Sequence, residues 1–265
     1  MKIAATTLAT PNADLSEMLK ECGGYGYEGL ELRGIRGQMY LTKVPEFSDA
    51  NISKTMKMIK DSCMDITCLS LSTSFVGAPQ EKLDAYMQEG RDHIELAGKL
   101  GVPRIRVFGG DIKEMTVGQA VEKVAKGLKE LAPLAKKNNV KIMLETHDAF
   151  SVPQNVVDTV KLVNDPSVGV CWDICNSYKA GWDIKKSADL MGHIVDYVHV
   201  KDNDGEKYVL FGKGKVHNEL GIKLLMEKGY DGWLCVEWEK KWFPDIVDAK
   251  IALPQYIKEL KRIIG

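Results

Sequence analysis

The feature that most restricts the fold of this 265-residue chain is a repeated alternation of short apolar segments with longer amphipathic ones. The short segments have the composition of buried strands, and the longer ones place apolar residues at helical spacing. The predicted strands are residues 2–8, 27–33, 66–71, 104–108, 140–145, 168–173, 195–200 and 232–237. The predicted helices follow them at 15–22, 47–62, 79–100, 116–138, 152–163, 183–192, 216–228 and 245–263.

This alternation predicts an α/β protein with a parallel sheet, and eight units predict a single closed (β/α)8 TIM barrel over residues 1–265. No change of composition or linker divides the chain. An open, doubly wound sheet is the alternative. It requires a glycine-rich phosphate turn after the first strand, and the segment Leu8-Ala-Thr-Pro-Asn has none.

Composition narrows the function and the compartment. The net charge is −1 and 45% of residues are hydrophobic, which disfavours nucleic acid and anionic membrane as partners. No run approaches the roughly 20 apolar residues of a membrane span. Several of the six cysteines lie in apolar runs, and none forms a C-x-x-C pair. Reduced, buried thiols at Cys63, Cys68, Cys171 and Cys235 in a cytoplasmic protein are therefore expected.

Polar residues end four of the predicted strands. The run Lys141-Ile-Met-Leu-Glu-Thr-His-Asp ends in Glu145, and the later strands end near Asp173, His199 and Glu237. The carboxyl ends of barrel strands form the active-site face, so these side chains are predicted to meet. Three carboxylates and an imidazole suit one divalent ion, Mn²⁺ or Mg²⁺ first and Co²⁺ or Zn²⁺ as alternatives. Taken singly, each carboxylate could instead be a helix cap or a solvated loop residue.

Strand alternation adds further candidates, because residues two apart share a face. His147 lies on the side of Glu145, where it could act as a base or hydrogen-bond a metal ligand. Lys201 lies on the side of His199 and, like Arg33 on the second strand, is a candidate electrophile or substrate anchor. Both cations could equally be surface salt-bridge partners.

Aromatic residues surround the predicted site loops. They are Trp172, Trp182, Trp238, Trp242 and Phe243. Tryptophan rings stack on the apolar face of a sugar, so Trp172, Trp238 and Trp242 are predicted to bind a carbohydrate substrate. The alternative is that the loop from Trp238 to Phe243 packs against another copy in a homo-oligomer.

The strand-end motifs resemble those of the xylose isomerase-like TIM-barrel superfamily, and within it the sugar phosphate isomerase/epimerase group. The motifs are Glu-Thr-His-Asp after strand five, Trp-Asp-x-x-Asn after strand six, Tyr-Val-His-Val-Lys-Asp at strand seven and Val-Glu-Trp-Glu-Lys-Lys-Trp at strand eight. The resemblance implies that Glu145, Asp173, His199 and Glu237 bind one divalent ion, often manganese, and that the two glutamates act as acid and base. Many epimerases of the group have histidine where this chain has Asn176, a further substrate-binding candidate.

The predicted function is isomerisation or epimerisation of a small carbohydrate through an enediolate, by proton abstraction next to a carbonyl. Glu145, Glu237, His147 and Lys201 are the catalytic candidates. A lyase or dehydratase using His147 as an extra base is the first alternative, and a non-catalytic sugar-binding barrel is the second. The superfamily also contains endonuclease IV, whose site needs many histidines, and this chain has five histidines in all.

Overall fold

Eight parallel strands close into a ring in the computed structural model, which describes residues 1–265. The strands in chain order are β1 (Lys2–Thr6), β2 (Gly29–Leu32), β3 (Asp65–Ser70), β4 (Arg104–Val107), β5 (Lys141–Glu145), β6 (Val168–Asp173), β7 (Val195–Val200), β8 (Asp202–Asn203), β9 (Tyr208–Val209) and β10 (Trp233–Val236). The ring order is β1-β10-β7-β6-β5-β4-β3-β2, and β8 with β9 forms a separate antiparallel hairpin. The predicted (β/α)8 barrel is confirmed.

Nine α-helices accompany the strands. They are α1 (Leu15–Tyr25), α2 (Ile52–Asp61), α3 (Gln80–Leu100), α4 (Val117–Lys137), α5 (Pro153–Val163), α6 (Ile174–Lys179), α7 (Ile184–Met191), α8 (Asn218–Glu227) and α9 (Ala249–Ile264). None has the length and apolar character needed to cross a bilayer. The short helix α6 and the hairpin β8–β9 were not predicted from the sequence.

Local signals set several helix ends. Asp14 and Glu17 form a capping box at the start of α1, in which each side chain bonds the other residue's backbone N–H. The helix was predicted to end at residue 22 but continues through Gly23 and Gly24 to Tyr25. Gly26, at φ 90°, ends it in the left-handed conformation that glycine adopts without strain.

The interior of the ring is layered along the barrel axis. A central cluster consists of Ala4, Cys68, Met143, Cys171, Tyr197, Trp233 and Cys235. Two residues further along several of these strands, the inward positions become charged: Met143 is followed by Glu145, Cys171 by Asp173 and Cys235 by Glu237. The larger core of 68 buried residues includes the packing between strands and helices. The apolar plug thus supports a charged layer at the carboxyl end of the barrel.

All six cysteines are free thiols, and five of them are buried. Cys63 is the exception. It is exposed in the turn after α2, at φ 56°, so its predicted burial is wrong. The apolar residues around it belong to the helix and the following strand, and the turn between them lies at the surface.

Candidate metal centre and active site

Four strand-end side chains meet at the carboxyl end of the barrel. Glu145 ends β5, Asp173 ends β6, His199 lies on β7 and Glu237 directly follows β10. One ligand atom from each lies within 4.8 Å of the others, and all four residues are buried. The structure therefore brings together the four residues predicted to share one ion.

His199 links three carboxylates. Its Nδ1–H donates to Glu145 Oε1 at 2.8 Å and lies 3.4 Å from Glu237 Oε1, while Nε2–H donates to Glu31 Oε2 at 2.8 Å. Burial by itself would lower the pKa of His199, but the acidic groups around the ring raise it well above its usual value. Binding of a metal at this imidazole must therefore release a proton.

Lys201 neutralises much of the acidic cluster. Its Nζ lies 2.9 Å from Asp173 Oδ2 and 2.5 Å from both Glu237 Oε2 and Glu239 Oε1. Burial opposes the charged form, but these carboxylates raise the pKa of Lys201 well above its usual value. The side chain is almost fully buried, so the alternative of a surface salt bridge is wrong for this residue.

Arg106 on β4 is a component of the site that sequence reasoning did not single out. Its Nε lies 3.1 Å from Glu145 Oε2, and Nη1 donates to the Leu71 carbonyl at 2.8 Å. Burial would raise the pKa of Glu145, but Arg106 and His199 outweigh burial and hold it well below its usual value. The sequence signal that could have identified it is an arginine within an otherwise apolar strand, at a position that faces the barrel interior.

The Asp173 side chain is part of the acidic layer and also caps a helix. Its Oδ1 accepts from the Asn176 backbone N–H at 2.7 Å and so caps α6. Burial raises the pKa of Asp173 to about 6, although the Lys201 ammonium acts to lower it. The Asn176 side chain donates to the Thr146 carbonyl at 3.1 Å, which ties the loop after β5 to α6.

A cavity of about 430 Å³ opens above this layer. Its lining includes His147, Asn176, Lys179, Lys201, Tyr208 and Phe243. His147 Nδ1 lies 2.9 Å from Asp148 Oδ1, and the ring packs near Phe108. Burial acts to lower the pKa of His147, but the neighbouring carboxylates raise it. The cavity joins the candidate base His147 to Lys201 and the acidic layer below.

Two of the predicted sugar-stacking residues are core residues. Trp172 and Trp238 are fully buried, and their indole N–H groups donate to Ser177 Oγ at 3.1 Å and the Val247 carbonyl at 2.9 Å. Trp172 is adjacent to Asp173 in the strand and therefore points to the opposite face, toward the helices. Neither ring can stack on a ligand, so this prediction is wrong for both.

The rim of the cavity is aromatic, although not through the predicted tryptophans. Phe243 is half exposed and packs edge-to-face on Tyr208 at 5.0 Å. Trp242 is also half exposed but is not part of the cavity lining. Tyr208 belongs to the hairpin that sequence reasoning missed.

The donor set fits a divalent ion. Three buried acidic oxygens in this layer accept no hydrogen bond: Glu31 Oε1, Glu145 Oε2 and Asp173 Oδ2, of which the last two have only the ion-pair contacts with Arg106 and Lys201. Buried oxygens without a hydrogen-bond partner are uncommon in proteins, and a cation satisfies them. Glu145, Asp173, His199 and Glu237 together supply the hard oxygen and nitrogen ligands that Mn²⁺, Mg²⁺ or Zn²⁺ accept.

Residues 19–262 match the family described as xylose isomerase-like TIM barrel, and the chain belongs to this family. A curated relative, the probable endonuclease 4 of Acholeplasma laidlawii (strain PG-8A), is 26% identical over 185 residues. The match covers 63% of this chain and 61% of the relative. The chain thus spans less than two thirds of the length of that relative.

Solved structures share the whole barrel at low identity. The IOLI protein with a binding zinc atom superposes with a TM-score of 0.83 and 20% identity, covering 100% of this chain and 98% of that one. The 3-keto-D-glucoside 4-epimerase YcjR from E. coli gives 0.80 and 15%, covering 99% of each chain. The probable 3-DHS dehydratase AsbF from Bacillus anthracis gives 0.80 and 16%, covering 98% of this chain and 99% of that one. Proteins described as an epimerase and as a probable dehydratase thus share this fold.

Proposed function

We propose that this protein is a divalent-metal-dependent isomerase or epimerase that acts on a small carbohydrate. The observation that carries the proposal is the meeting of Glu145, Asp173, His199 and Glu237 within 4.8 Å beneath an open cavity. Mn²⁺ is the ion we propose first, with Mg²⁺, Co²⁺ and Zn²⁺ as alternatives. When bound there, such an ion polarises a substrate carbonyl and favours loss of the neighbouring proton.

The two glutamates are proposed to move that proton. A buried cation contacts each of them, Arg106 at 3.1 Å from Glu145 and Lys201 at 2.5 Å from Glu237. A carboxylate kept ionised in this way is ready to accept a proton from the carbon next to the carbonyl, and the second carboxyl group returns it. Return to the neighbouring carbon gives an isomer, and return to the opposite face of the same carbon gives an epimer.

The cavity is proposed to select the substrate. Phe243 and Tyr208 offer apolar surfaces suited to a sugar ring, and Asn176 offers hydrogen-bonding groups at the wall. Trp242, which is half exposed but outside the cavity lining, is proposed to contact a second copy of the chain. The net charge of −1 shows no overall basic excess of the kind that favours nucleic acid, so the activity named for the curated relative is not part of the proposal.

Elimination is a second candidate, and His147 favours it. This imidazole lines the same cavity as Lys201 and has a raised pKa, so it is suited to protonate a departing hydroxyl group. The probable dehydratase among the solved structures has the same fold. A lyase would use the same proton abstraction and differ only in the fate of the intermediate.

The test is a screen of ketoses, inososes and keto-glycosides with Mn²⁺ in D₂O, followed by proton NMR. We expect metal-dependent deuterium uptake at a carbon next to the carbonyl. A shift in carbonyl position identifies an isomerase, inversion an epimerase and loss of a hydroxyl or glycosyl group a lyase. A protein with neither bound metal nor exchange would be a sugar-binding barrel and would refute the proposal.

A further inference from the structure

Unpartnered buried polar atoms concentrate at the carboxyl end of the barrel. Seven buried side-chain nitrogen or oxygen atoms lack a hydrogen-bond partner. Six of them belong to this region: Glu31 Oε1, Arg33 Nη1, Arg106 Nε, Glu145 Oε2, His147 Nδ1 and Asp173 Oδ2. Buried polar groups are normally satisfied, so this concentration indicates a place built for ligands.

One of these six residues also lacks an oppositely charged neighbour. Arg106, Glu145, His147 and Asp173 each have an ion-pair contact between 2.9 and 3.1 Å at the atom concerned. The carboxylate of Glu31 contacts His199 through its other oxygen, Oε2, whereas Arg33 has no ion-pair contact within 4.0 Å. The Arg33 guanidinium therefore lacks an acceptor that the protein itself supplies.

The position of Arg33 directs it toward the site. It follows Glu31 by two positions and so continues the inward row of β2. Its backbone N–H donates to Thr7 Oγ1 at 2.9 Å, and Nη2 donates to Ser72 Oγ at 2.9 Å. The residue is only 6% exposed. The guanidinium is thus held in place by neutral partners and carries a charge that no neighbour pairs with directly.

The carboxylates whose charges act on Arg33, namely Glu89, Glu237 and Glu31, already have other partners. Glu89 is buried, but its Oε1 accepts from the Ser72 N–H at 3.1 Å and its Oε2 from the Thr73 hydroxyl at 3.2 Å. Glu31 accepts from His199. Burial lowers the pKa of Arg33 to about 10, a value at which the group remains charged at neutral pH. A buried cation of this kind is costly unless an anion joins it.

We propose that the substrate carries a carboxylate close to its reacting carbons, and that Arg33 binds this carboxylate. The inference rests on the proposed function and narrows its substrate class to keto-sugar acids. A planar guanidinium pairs with a carboxylate through two parallel hydrogen bonds, and one positive charge balances one negative charge. A phosphate dianion carries two negative charges, and Arg33 would balance only one of them. Ser72, the other polar side chain in contact with the guanidinium, is neutral.

The first experiment compares three six-carbon substrates that differ only at C1. They are 2-ketogluconate with a carboxylate, D-fructose with a hydroxymethyl group and D-fructose 1-phosphate. Deuterium exchange at C3 is measured with the Mn²⁺-loaded protein and with Arg33→Met and Arg33→Lys. Arg36→Met is the control, since Arg36 is partly exposed and pairs with Glu46 at the surface.

We expect 2-ketogluconate to be the preferred substrate. Arg33→Met should lower its kcat/KM about 10- to 100-fold, the range expected for loss of a hydrogen-bonded charged partner, and should lower that of D-fructose much less. Arg33→Lys should recover part of the loss, and Arg36→Met should match the native protein. A preference for D-fructose 1-phosphate, or equal effects of Arg33→Met on charged and neutral substrates, would overturn the carboxylate assignment.

If none of these sugars reacts, a binding measurement tests whether Arg33 binds a carboxylate. Glycolate and inorganic phosphate are titrated calorimetrically into Mn²⁺-loaded native protein, Arg33→Met and Arg36→Met. We expect glycolate to bind the native protein and to lose about 10- to 100-fold in affinity in Arg33→Met alone. Glycolate affinity that does not depend on Arg33 would refute the inference. Mn²⁺ affinity, titrated separately, should be unchanged by Arg33→Met, and failure of Mn²⁺ to bind the native protein would instead refute the proposed function.

Discussion

Charged side chains are exposed to solvent at one end of the barrel and buried at the other. At the amino end, Lys141 pairs with Asp196 at 2.7 Å and Lys2 pairs with Asp65 at 3.3 Å, and all four side chains keep contact with solvent. At the carboxyl end, charged groups such as Arg106, His199 and Lys201 are almost completely withdrawn from water. One end therefore has simple surface pairs, and the other a crowded layer without solvent.

This difference separates packing requirements from functional ones. Exposed pairs contribute at most about 1 kcal/mol and cost little to form. Even so, the Lys141–Asp196 pair restricts the residue beside it. A Cβ at Gly169 would collide with the Asp196 carboxylate. Burying an ion costs several kcal/mol, and partners only partly offset this cost. A fold selected for stability alone would not place a charged layer there, so the layer indicates a site.

The largest expected effect is on turnover at the carboxyl end. Glu237→Gln removes a carboxylate that the proposal uses as acid or base, and we expect substrate deuterium exchange to fall at least about 1000-fold. The measurement is exchange in D₂O together with circular dichroism to show an intact fold. Asp196→Asn is the amino-end control and should retain native exchange. Native activity in Glu237→Gln would remove this residue from the mechanism.

Removal of the buried ammonium should produce the largest change in stability. Lys201→Met leaves the carboxylates of Asp173, Glu237 and Glu239 without their shared cation, and we expect a loss of about 3–5 kcal/mol in metal-free protein. Urea unfolding of native and variant protein in the presence of a chelator measures this difference. Unchanged stability would mean that the acidic layer tolerates its charge without Lys201.

Metal should stabilise the native fold through the same layer. At free Mn²⁺ about 100 times the dissociation constant, we expect the free energy of unfolding to rise by about 2.7 kcal/mol, because only the folded state gathers the ligands. Thermal unfolding with Mn²⁺ and with a chelator tests this. Glu145→Gln should shift the required Mn²⁺ to higher concentration. An unfolding temperature that is the same with Mn²⁺ and with a chelator would contradict binding of the ion at this site.

The smallest effect is expected at the amino end. Lys141→Met breaks the half-buried pair with Asp196, and we expect at most about 1 kcal/mol of destabilisation and no change in exchange rate or Mn²⁺ affinity. Urea unfolding and the exchange assay provide both values. A loss as large as that of Lys201→Met would show that charged pairs at the two ends contribute equally to stability.

The barrel was predictable from the sequence because its signals are local and repeated. Strand composition and helix spacing located all eight ring strands within a few residues of their observed positions. The hairpin β8–β9 was missed although Asp204-Gly205, a common hairpin turn pair, marks its loop. Helix α6 was missed because six residues are too few to display helical spacing.

The site was predictable only in part, for a physical reason. Strand ends converge in a barrel, so grouping Glu145, Asp173, His199 and Glu237 required topology alone. Pairings between neighbouring strands, such as Arg106 on β4 with Glu145 on β5, depend on register and side-chain reach, which spacing along the chain does not encode. The tryptophans were misassigned because a single strand position decides whether a ring faces the cavity or the helices.

The two carboxylate oxygens of Asp173 connect the acidic layer mechanically to α6. One carboxylate oxygen anchors the first turn of α6, and the other faces the acidic layer, so any pull on the carboxylate is transmitted to the helix. That helix supplies Asn176 and Lys179 to the cavity wall. Cation occupancy should therefore rigidify the wall against which a substrate rests, and slower amide hydrogen exchange at Asn176 would register this coupling.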